Sequence, residues 1–221
     1  MKIENRPYVI LNAAMTLDGK IATKTRDSEI SSPEDWRRVH RLRAKVDGLM
    51  VGIGTILTDN PKLRVKHPRK NPLTKIVVDS LARTPVNANI FKYRGNDRIV
   101  IAVTSKASKK KLKALKKAGA KIVVSGSGRK VNLKLLLKKL WRMKIKTLMV
   151  EGGGNLNWGM VKANLVDEVR VAIAPVIVGG KKAITLVEGE GYKRVREGLK
   201  LKLVKVEKAG EDLVLTYKRK G

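Results

Sequence analysis

The stretch that decides the fold reads Thr147-Leu148-Met149-Val150-Glu151-Gly152-Gly153-Gly154-Asn155-Leu156-Asn157-Trp158-Gly159. It begins with an apolar run typical of a buried strand, and apolar residues at helical spacing resume after the glycines. The pattern predicts a strand, a tight turn and a helix. Glycines in the turn allow positive φ and leave no Cβ between the turn and a ligand. Because the N–H groups at a helix start point outward, we expect a phosphate to bind there.

A second strand-to-glycine turn reads Leu49-Met50-Val51-Gly52-Ile53-Gly54-Thr55. Neither turn completes the dinucleotide pattern G-x-G-x-x-G, because Leu57 and Asn157 stand in place of the third glycine. The sequence also lacks the P-loop pattern G-x-x-x-x-G-K-[ST]. Glu151 comes at the carboxyl end of its strand, where open α/β sheets keep their ligand crevices. Two such turns favour a ligand site over the alternative, a helix-packing turn with a surface Glu.

Length and composition bound the class of protein. A chain of 221 residues suits one large domain, and we predict a single domain over residues 1–221. No apolar run approaches the roughly 20 residues that span a bilayer, and residues 1–7 are mostly polar, so we expect a cytoplasmic protein. The absence of cysteine excludes disulfides, thiolate zinc sites and a cysteine nucleophile. With two histidines, we predict no metal site and no Ser-His-Asp triad.

The formal net charge is +31, from 50 Lys and Arg against 19 Asp and Glu. No acid occurs from Arg98 to Val150, and lysines cluster over residues 106–117 and 130–146. Such a field attracts polyanions, so nucleic-acid binding is one hypothesis. One aromatic residue, Trp141, lies within these basic runs, too few for the stacking surface that base binding requires. Solvated helix faces are therefore the preferred interpretation, with non-specific association with nucleic acid through the excess charge.

Periodicity along the chain alternates between strand and helix. Ser32 as N-cap and Pro33 at the first helical position predict a helix to about Lys45. We predict a short helix ending at Asp59-Asn60-Pro61 and longer helices over 106–118 and 133–143. Strands are predicted over 8–15, 46–53, 75–79, 98–104, 121–124, 147–150, 168–175, 199–206 and 213–218. This order indicates an α/β fold, with a mostly parallel central sheet, helices on both faces and an antiparallel C-terminal edge.

Several motifs occur together and in order along nearly the whole chain. They are Met15-Thr16-Leu17-Asp18-Gly19-Lys20, Val51-Gly52-Ile53-Gly54-Thr55-Ile56-Leu57 with Asp59 and Pro61, Ile76-Val77-Val78-Asp79-Ser80, Glu151-Gly152-Gly153, and Leu165-Val166-Asp167-Glu168 with Ala174-Pro175. This set resembles the riboflavin-pathway reductase family. The family includes the reductase half of the bacterial bifunctional deaminase-reductase and a stand-alone archaeal enzyme that acts on 2,5-diamino-6-ribosylamino-4(3H)-pyrimidinone 5′-phosphate.

The resemblance implies a dihydrofolate-reductase-like fold, a homodimer, and the use of NADPH to reduce a ribosylamino to a ribitylamino group. NADH stays open as the alternative cofactor. The zinc deaminase signature, H-x-E with P-C-x-x-C, is absent from the sequence. Its absence fits the stand-alone enzyme, in which reduction precedes deamination, so a diamino substrate is implied.

Cofactor-binding residues are implied by the same resemblance. They are Ala14, Thr55, Asp59, Ser80, Leu81, Ala82, Arg83, Gly128, Gly153, Gly154, Asn155 and Leu156. Gly128 is assigned to the adenosine end. Arg83, Ser105 and Lys106 follow strand ends and are candidates for a 2′-phosphate, although for Lys106 ordinary surface charge is the preferred interpretation.

Substrate-binding residues implied by the family pattern are Ser28, Arg43, Leu63, Lys66 and Glu151. Arg43 and Lys66 are expected to hold the 5′-phosphate, for which paired cations are suitable. The bacterial enzymes tend to carry Arg at the Lys66 position, and Arg64 and His67 are neighbours that can share the task. Glu151 is expected to accept hydrogen bonds from the pyrimidine amino groups and to help proton movement, which makes it the predicted catalytic residue.

Two alternatives remain from the sequence alone. One is a dihydrofolate-reductase-like enzyme that acts on another pterin or pyrimidine. The other is a basic nucleic-acid-binding protein that has kept an enzyme scaffold. Both glycine turns, Asp59 and Glu151 argue against the second alternative, because binding to a phosphate backbone does not require them.

Overall fold

The computed structural model describes residues 5–220; residues 1–4, which include part of the polar start noted above, and residue 221 lie outside the description. The chain divides into two compact units. Unit 1 holds residues 5–8 and Arg43–Met149. Unit 2 holds Val9–Leu42 and residues 150–220.

The strands are β1 (Tyr8–Thr16), β2 (Lys20–Ala22), β3 (Gly48–Gly52), β4 (Thr74–Val78), β5 (Arg98–Val103), β6 (Ala120–Val124), β7 (Thr147–Val150), β8 (Glu168–Ala174), β9 (Ile184–Thr185), β10 (Leu201–Ala209) and β11 (Asp212–Arg219). The α-helices are α1 (Pro33–Lys45), α2 (Ile53–Asp59), α3 (Asn89–Lys92), α4 (Lys109–Lys117), α5 (Leu133–Arg142) and α6 (Gly154–Lys162). A 3₁₀ turn spans Val195–Glu197.

Unit 1 is built on parallel strands in the order β7-β3-β4-β5-β6. Gly48 pairs with Thr74, and Thr74 pairs with Arg98, so these strands start at one level and their carboxyl ends share one edge. The interior of β5 is buried throughout, as expected for an apolar β-branched strand covered on both faces. Helix α5 buries a leucine stripe, and the Asn132 side chain caps it by accepting from the Leu135 N–H at 3.0 Å.

Unit 2 combines parallel and antiparallel pairs in the order β10-β11-β8-β1. β1 and β8 run parallel, with Ala14 opposite Ala172. β11 is antiparallel to both β8 and β10, which makes the C-terminal edge antiparallel. The Ser32 hydroxyl accepts from the Asp35 N–H at 3.1 Å and so caps α1 as predicted.

The predicted α/β class, mostly parallel with an antiparallel C-terminal edge, is confirmed. Helix α4 begins at Lys109 and not at the predicted residue 106, because Thr104 organises a turn first. The Thr104 carbonyl accepts from the Ala107 N–H at 3.2 Å, and the Thr104 hydroxyl accepts from the Lys106 N–H at 3.3 Å. The short elements β2, β9 and α3 were not predicted. None of the helices within residues 5–220 has the length and apolar character needed to cross a membrane.

Candidate active site

Three loops meet at the carboxyl edge of unit 1. The Ser80 carbonyl, just after β4, accepts from the Thr104 N–H at 3.1 Å and the Thr104 hydroxyl at 3.0 Å. The Ser80 hydroxyl accepts from the Val131 N–H at 3.2 Å. The loops after β4, β5 and β6 are therefore tied together. Of the residues predicted for the nucleotide, this network joins the Ser80–Arg83 turn to the loop that carries Gly128.

A buried carboxylate closes the first of these loops. Asp79 is 0% exposed, and its Oδ2 accepts from the N–H and the hydroxyl of Thr84, both at 2.7 Å. Ala82, between Asp79 and Thr84 in the sequence, has φ 56°. This left-handed conformation costs energy for any residue other than glycine. The Arg83 Nε lies 4.0 Å from Asp79 Oδ1, with the Arg83 side chain 53% exposed. The turn thus presents a guanidinium at the edge of the sheet.

Two buried polar atoms at this edge lack a hydrogen-bond partner among residues 5–220. They are Asp79 Oδ1 and the Ser125 hydroxyl oxygen. Ser125 lies at the end of β6, beside the Gly126 carbonyl that accepts from the Ser105 N–H at 3.0 Å. Unsatisfied buried polar atoms are uncommon in folded proteins. The Ser125 hydroxyl can donate to a polar ligand, whereas Asp79 Oδ1 lies 4.0 Å from the Arg83 Nε.

Thr55 and Asp59 lie on α2, which contacts β3 and β4. The helix ends at Asn60, whose φ is 41°. Asn60 is held by Asn89, which donates from its N–H at 2.8 Å and from its side-chain amide at 2.7 Å. This pairing fixes the exit from α2, and with it the segment that carries Leu63.

The predicted substrate cations converge on one segment of unit 1. Arg43, at the end of α1, is 6% exposed, and its Nη1 donates to the Arg64 carbonyl at 2.9 Å. The Arg64 guanidinium lies 4.4 Å from the centroid of the Tyr93 ring. Lys66 and His67 are exposed next to them. The structure thus joins Arg43 to the segment of Leu63 and Lys66, where positive charge is concentrated.

In unit 2, Glu151 follows β7 directly and is half-buried. Gly152 has φ 91°, which the absence of a side chain permits, and α6 begins at Gly154. The Gly153 carbonyl accepts from the Leu156 N–H at 2.9 Å and from the Asn157 N–H at 3.1 Å. Leu156 therefore uses its N–H to close the turn, and the Leu156 side chain is buried. Gly154 and Asn155 supply N–H groups that have no acceptor within the helix.

The expectation that glycine leaves open space for a ligand is wrong at Gly154. A Cβ there would lie 2.3 Å from Glu188 Cγ and 2.7 Å from the Thr185 carbonyl oxygen. The loop after β9 returns onto the start of α6, where the Glu188 N–H donates to the Gly154 carbonyl at 3.1 Å. Gly154 is thus needed for the close approach of this loop, and any contact with a cofactor is left to its backbone.

The other predicted residues of unit 2 lie on different elements. Ala14 is on β1, opposite Ala172. Ser28 lies in an exposed turn, where its carbonyl accepts from the Ile30 N–H at 2.9 Å. The turn is closed by Thr23 and Asp27, with the Thr23 N–H donating to the Asp27 carbonyl at 2.8 Å. None of the sequence motifs covers this turn, and Ser28 was assigned by resemblance alone.

Sequence reasoning missed the residues that support the glycine turn. The Asn157 side-chain amide donates to the Leu186 carbonyl at 2.8 Å, and Glu188 accepts from the N–H and hydroxyl of Thr185 at 2.8 and 2.9 Å. A cavity of about 560 Å³ lies beyond this loop, against Trp158 and Tyr192, and none of the predicted site residues lines it. The glycine-rich segment 188–191 is the signal in the sequence for this tight approach.

Among residues 5–220 there is no group of three or more His, Asp or Glu side chains arranged to hold a metal ion.

A family model described as the RibD C-terminal domain matches residues 7–215. The chain belongs to the RibD C-terminal domain family. Two archaeal relatives are named 2,5-diamino-6-ribosylamino-4(3H)-pyrimidinone 5′-phosphate reductase. That of Methanothermobacter thermautotrophicus is 50% identical over 98% of this chain and 100% of its own length. That of Archaeoglobus fulgidus is 40% identical over 96% of this chain and 97% of its own.

Solved structures show the same fold. RibD of Acinetobacter baumannii matches with a TM-score of 0.83 and 22% identity, covering 98% of this chain. This RibD-family chain spans 59% of the length of that protein. The riboflavin biosynthesis reductase Rib7 of Saccharomyces cerevisiae matches with a TM-score of 0.76 and 22% identity, over 100% of this chain and 93% of its own. The dihydrofolate-reductase-like fold implied by the sequence motifs is thereby confirmed.

Proposed function

We propose that this chain reduces the ribosylamino group of 2,5-diamino-6-ribosylamino-4(3H)-pyrimidinone 5′-phosphate to the ribitylamino product in riboflavin biosynthesis. The observation that carries the proposal is near-full-length similarity, at 50% identity, to a protein named for that reaction. Membership of the RibD C-terminal family over residues 7–215 agrees with it. The same match spans both units, which supports a single reductase domain over residues 1–221.

NADPH is the proposed cofactor, with NADH as the weaker alternative. A bound pyridine nucleotide supplies the hydride. On the unit 1 edge, Ser80–Arg83 and the Gly128 loop are proposed to bind the adenosine end, with the unpartnered Ser125 hydroxyl beside them. The exposed Arg83 guanidinium suits a 2′-phosphate, because a fork of donors matches phosphate oxygens. Thr55 and Asp59 in unit 1, and Ala14 with Gly153–Leu156 in unit 2, complete the proposed set.

The substrate phosphate is assigned to Arg43 and Lys66, with Arg64 and His67 as neighbours. Leu63, on the same segment as Arg64 and Lys66, is 4% exposed. Positive side chains with little acid nearby hold a dianionic phosphate well, since each charge-assisted hydrogen bond is roughly twice as strong as a neutral one. Ser28 in unit 2 is also proposed to contact the substrate.

Glu151 is the proposed catalytic residue. The substrate's furanose ring must open to an imine, which makes C1′ electrophilic and requires protons to move on the sugar. A half-buried carboxylate at a strand end is suited to orient the pyrimidine amino groups and to help that proton transfer. The Glu151 side chain is the acceptor in this scheme, and the glycines after it let the backbone turn away.

The test is oxidation of NADPH, followed by absorbance, with the diamino ribosylamino-pyrimidinone 5′-phosphate as substrate. Wild type is compared with Glu151→Gln and Arg43→Ala. Turnover by wild type and a loss of about 100-fold or more in kcat/KM in both variants is the expected result. Nucleotide binding without turnover would leave a reductase of another substrate, such as a pterin. Absence of nucleotide binding would reject the reductase and favour a nucleic-acid-binding protein.

A homodimer, a cytoplasmic location and non-specific association with nucleic acid complete the proposal. The dimer is proposed through the antiparallel late strands, because β10 exposes Leu203, Val204 and Val206 by 48, 52 and 52%. An exposed apolar edge strand is a common site of pairing with another chain. The net charge of +31 supports the weak, salt-sensitive attraction of polyanions.

A further inference from the structure

The segment that carries the proposed substrate residues contains a strained position. Leu63 has φ 48° and is 4% exposed. A branched side chain in the left-handed region is strained, and such a conformation persists only where neighbouring contacts impose it. The residues that impose it are therefore part of the design of this segment.

Lys75 provides one of these contacts from the start of β4. Its side chain is 0% exposed, and its Nζ donates to the carbonyls of Lys62 and Tyr93, both at 3.3 Å. Asp97 pairs with it at 3.2 Å and accepts from the Leu73 N–H at 2.9 Å through its other oxygen. The carboxylate is thus anchored to the backbone beside β4, and it holds the ammonium against the Lys62 carbonyl.

Arg43 provides the other contact. Its Nη1 donates to the Arg64 carbonyl at 2.9 Å, while its own carbonyl accepts from Arg69 Nη1 at 2.7 Å. The two carbonyls on either side of Leu63, those of residues 62 and 64, are therefore each bound by a cationic side chain. The Lys62 carbonyl lies in the peptide plane that precedes Leu63 and so bears on its φ, while the Arg64 carbonyl lies one plane beyond the plane that sets its ψ. The two bonds thus hold the chain on both sides of Leu63.

Burying the charged ammonium of Lys75 costs free energy, which argues against a coincidental contact. Burial lowers the pKa of the Lys75 ammonium from its ordinary 10.5, and Asp97 opposes that effect. The charges of Arg43 and Arg64 lower the pKa further. A buried lysine among other cations is retained where its donors are needed, since an apolar residue fills the same space at lower cost.

We propose that Lys75, anchored by Asp97, is a positioning residue that works with Arg43 to fix the backbone around Leu63 and so presents Lys66 to the substrate phosphate. This inference rests on the proposed function, because it concerns the substrate segment of that reductase. Lys75, at the start of β4, thus contributes to substrate affinity without contacting a reacting atom.

The experiment compares wild type with Lys75→Met, which keeps the length of the side chain and removes its donors. The expected result is a rise of about tenfold in KM for the pyrimidinone substrate, with kcat and the KM for NADPH changed by less than about twofold. The matched control is Arg219→Met in unit 2. Arg219 also pairs with a carboxylate, Asp167 at 3.5 Å, and donates to a carbonyl at 3.0 Å, that of Asn164, whose φ is 55°. The control should lose thermal stability without a selective change in substrate KM.

Hydrogen exchange is the second measurement, and Asp97→Asn is the second variant in case Lys75→Met does not fold. Amide hydrogens in peptides covering residues 60–67 should exchange faster in both variants than in the Arg219→Met control. Unchanged exchange there together with an unchanged substrate KM in the folded variant would overturn the inference. A wild-type protein without turnover would instead reject the proposed function, so the two failures are distinguishable.

Discussion

Asp18 and Gly179 are joined by a hydrogen bond that links two distant parts of unit 2: the Gly179 N–H donates to Asp18 Oδ2 at 2.8 Å. The other carboxylate oxygen accepts from the Thr16 hydroxyl at 2.6 Å and from the Val178 N–H at 3.2 Å. Asp18 therefore fixes the loop after the first strand to the segment after β8. These contacts give Asp18 a structural role in this loop.

This link predicts a loss of stability in acid. The Thr16 hydrogen bond lowers the pKa of Asp18 below 3.8, desolvation works against it, and the N–H groups of Gly179 and Val178 lower the pKa further. A carboxyl with a depressed folded pKa stabilises the fold above its unfolded pKa, and this contribution is lost as pH falls through the folded value. Asp18→Asn should therefore be less stable than wild type at about pH 6, and the difference should shrink below pH 3.8.

Urea denaturation of wild type and Asp18→Asn, from about pH 6 to below pH 3.8, measures this difference in stability. Asp27→Asn is the control, because Asp27 also accepts a backbone N–H, that of Glu29 at 3.0 Å, in an exposed turn. A difference between wild type and Asp18→Asn that stays constant with pH would contradict the assignment.

Two glycines at helix starts should respond in opposite ways to alanine. Gly154→Ala places a Cβ against Thr185 and Glu188, so it should destabilise the protein by about 1–3 kcal/mol through overpacking. Gly54→Ala meets nothing within 4 Å and lies in α2, so it should stabilise by about 0.4–1 kcal/mol. Thermal unfolding of both variants and of wild type measures the two changes in stability. Equal effects would mean that the loop after β9 does not seat on Gly154 in solution.

The strands and longer helices were predictable because each has a local cause. β5 is a continuous β-branched run, and α1 carries its start signal in Ser32 and Pro33. The C-terminal strands lacked long helices between them, and this indicated the antiparallel edge. The start of α4 was misplaced because a turn around Thr104 competes with helix, and lysine-rich periodicity does not reveal it.

The sequence suggested chain positions for the candidate site, but it did not reveal the contacts that support them. A strand end indicated Glu151, since ligand residues collect at carboxyl ends, whereas the Ser80–Arg83 turn was assigned through the family resemblance. The contacts of Lys75 with residue 62 and of Glu188 with Gly154 join residues that no periodicity or spacing relates. Such contacts depend on how loops return to the sheet, which is a property of tertiary packing.

The exposed edge of β10 predicts how the proposed dimer can be separated. Val204→Lys replaces an exposed apolar side chain of this edge strand by a charge, and in a symmetric interface the charge appears twice. We expect the variant to sediment as a monomer at concentrations where wild type is a dimer. Leu135→Lys, at a side chain that is 36% exposed on α5, is the control and should leave the dimer intact. A dimer that persists in Val204→Lys would place the interface elsewhere.

The last prediction concerns the choice between NADPH and NADH. Arg83 is half-exposed beside Asp79, at the edge where the loops after β4, β5 and β6 meet. If its guanidinium binds the 2′-phosphate, Arg83→Ala should lower kcat/KM for NADPH about tenfold or more and leave that for NADH within about twofold. Arg98→Ala is the matched control, because Arg98 is exposed at the opposite end of β5. Steady-state rates with both nucleotides give the ratio directly. An unchanged ratio in Arg83→Ala would assign the 2′-phosphate to another cation of this edge, with Lys106 the next variant to measure.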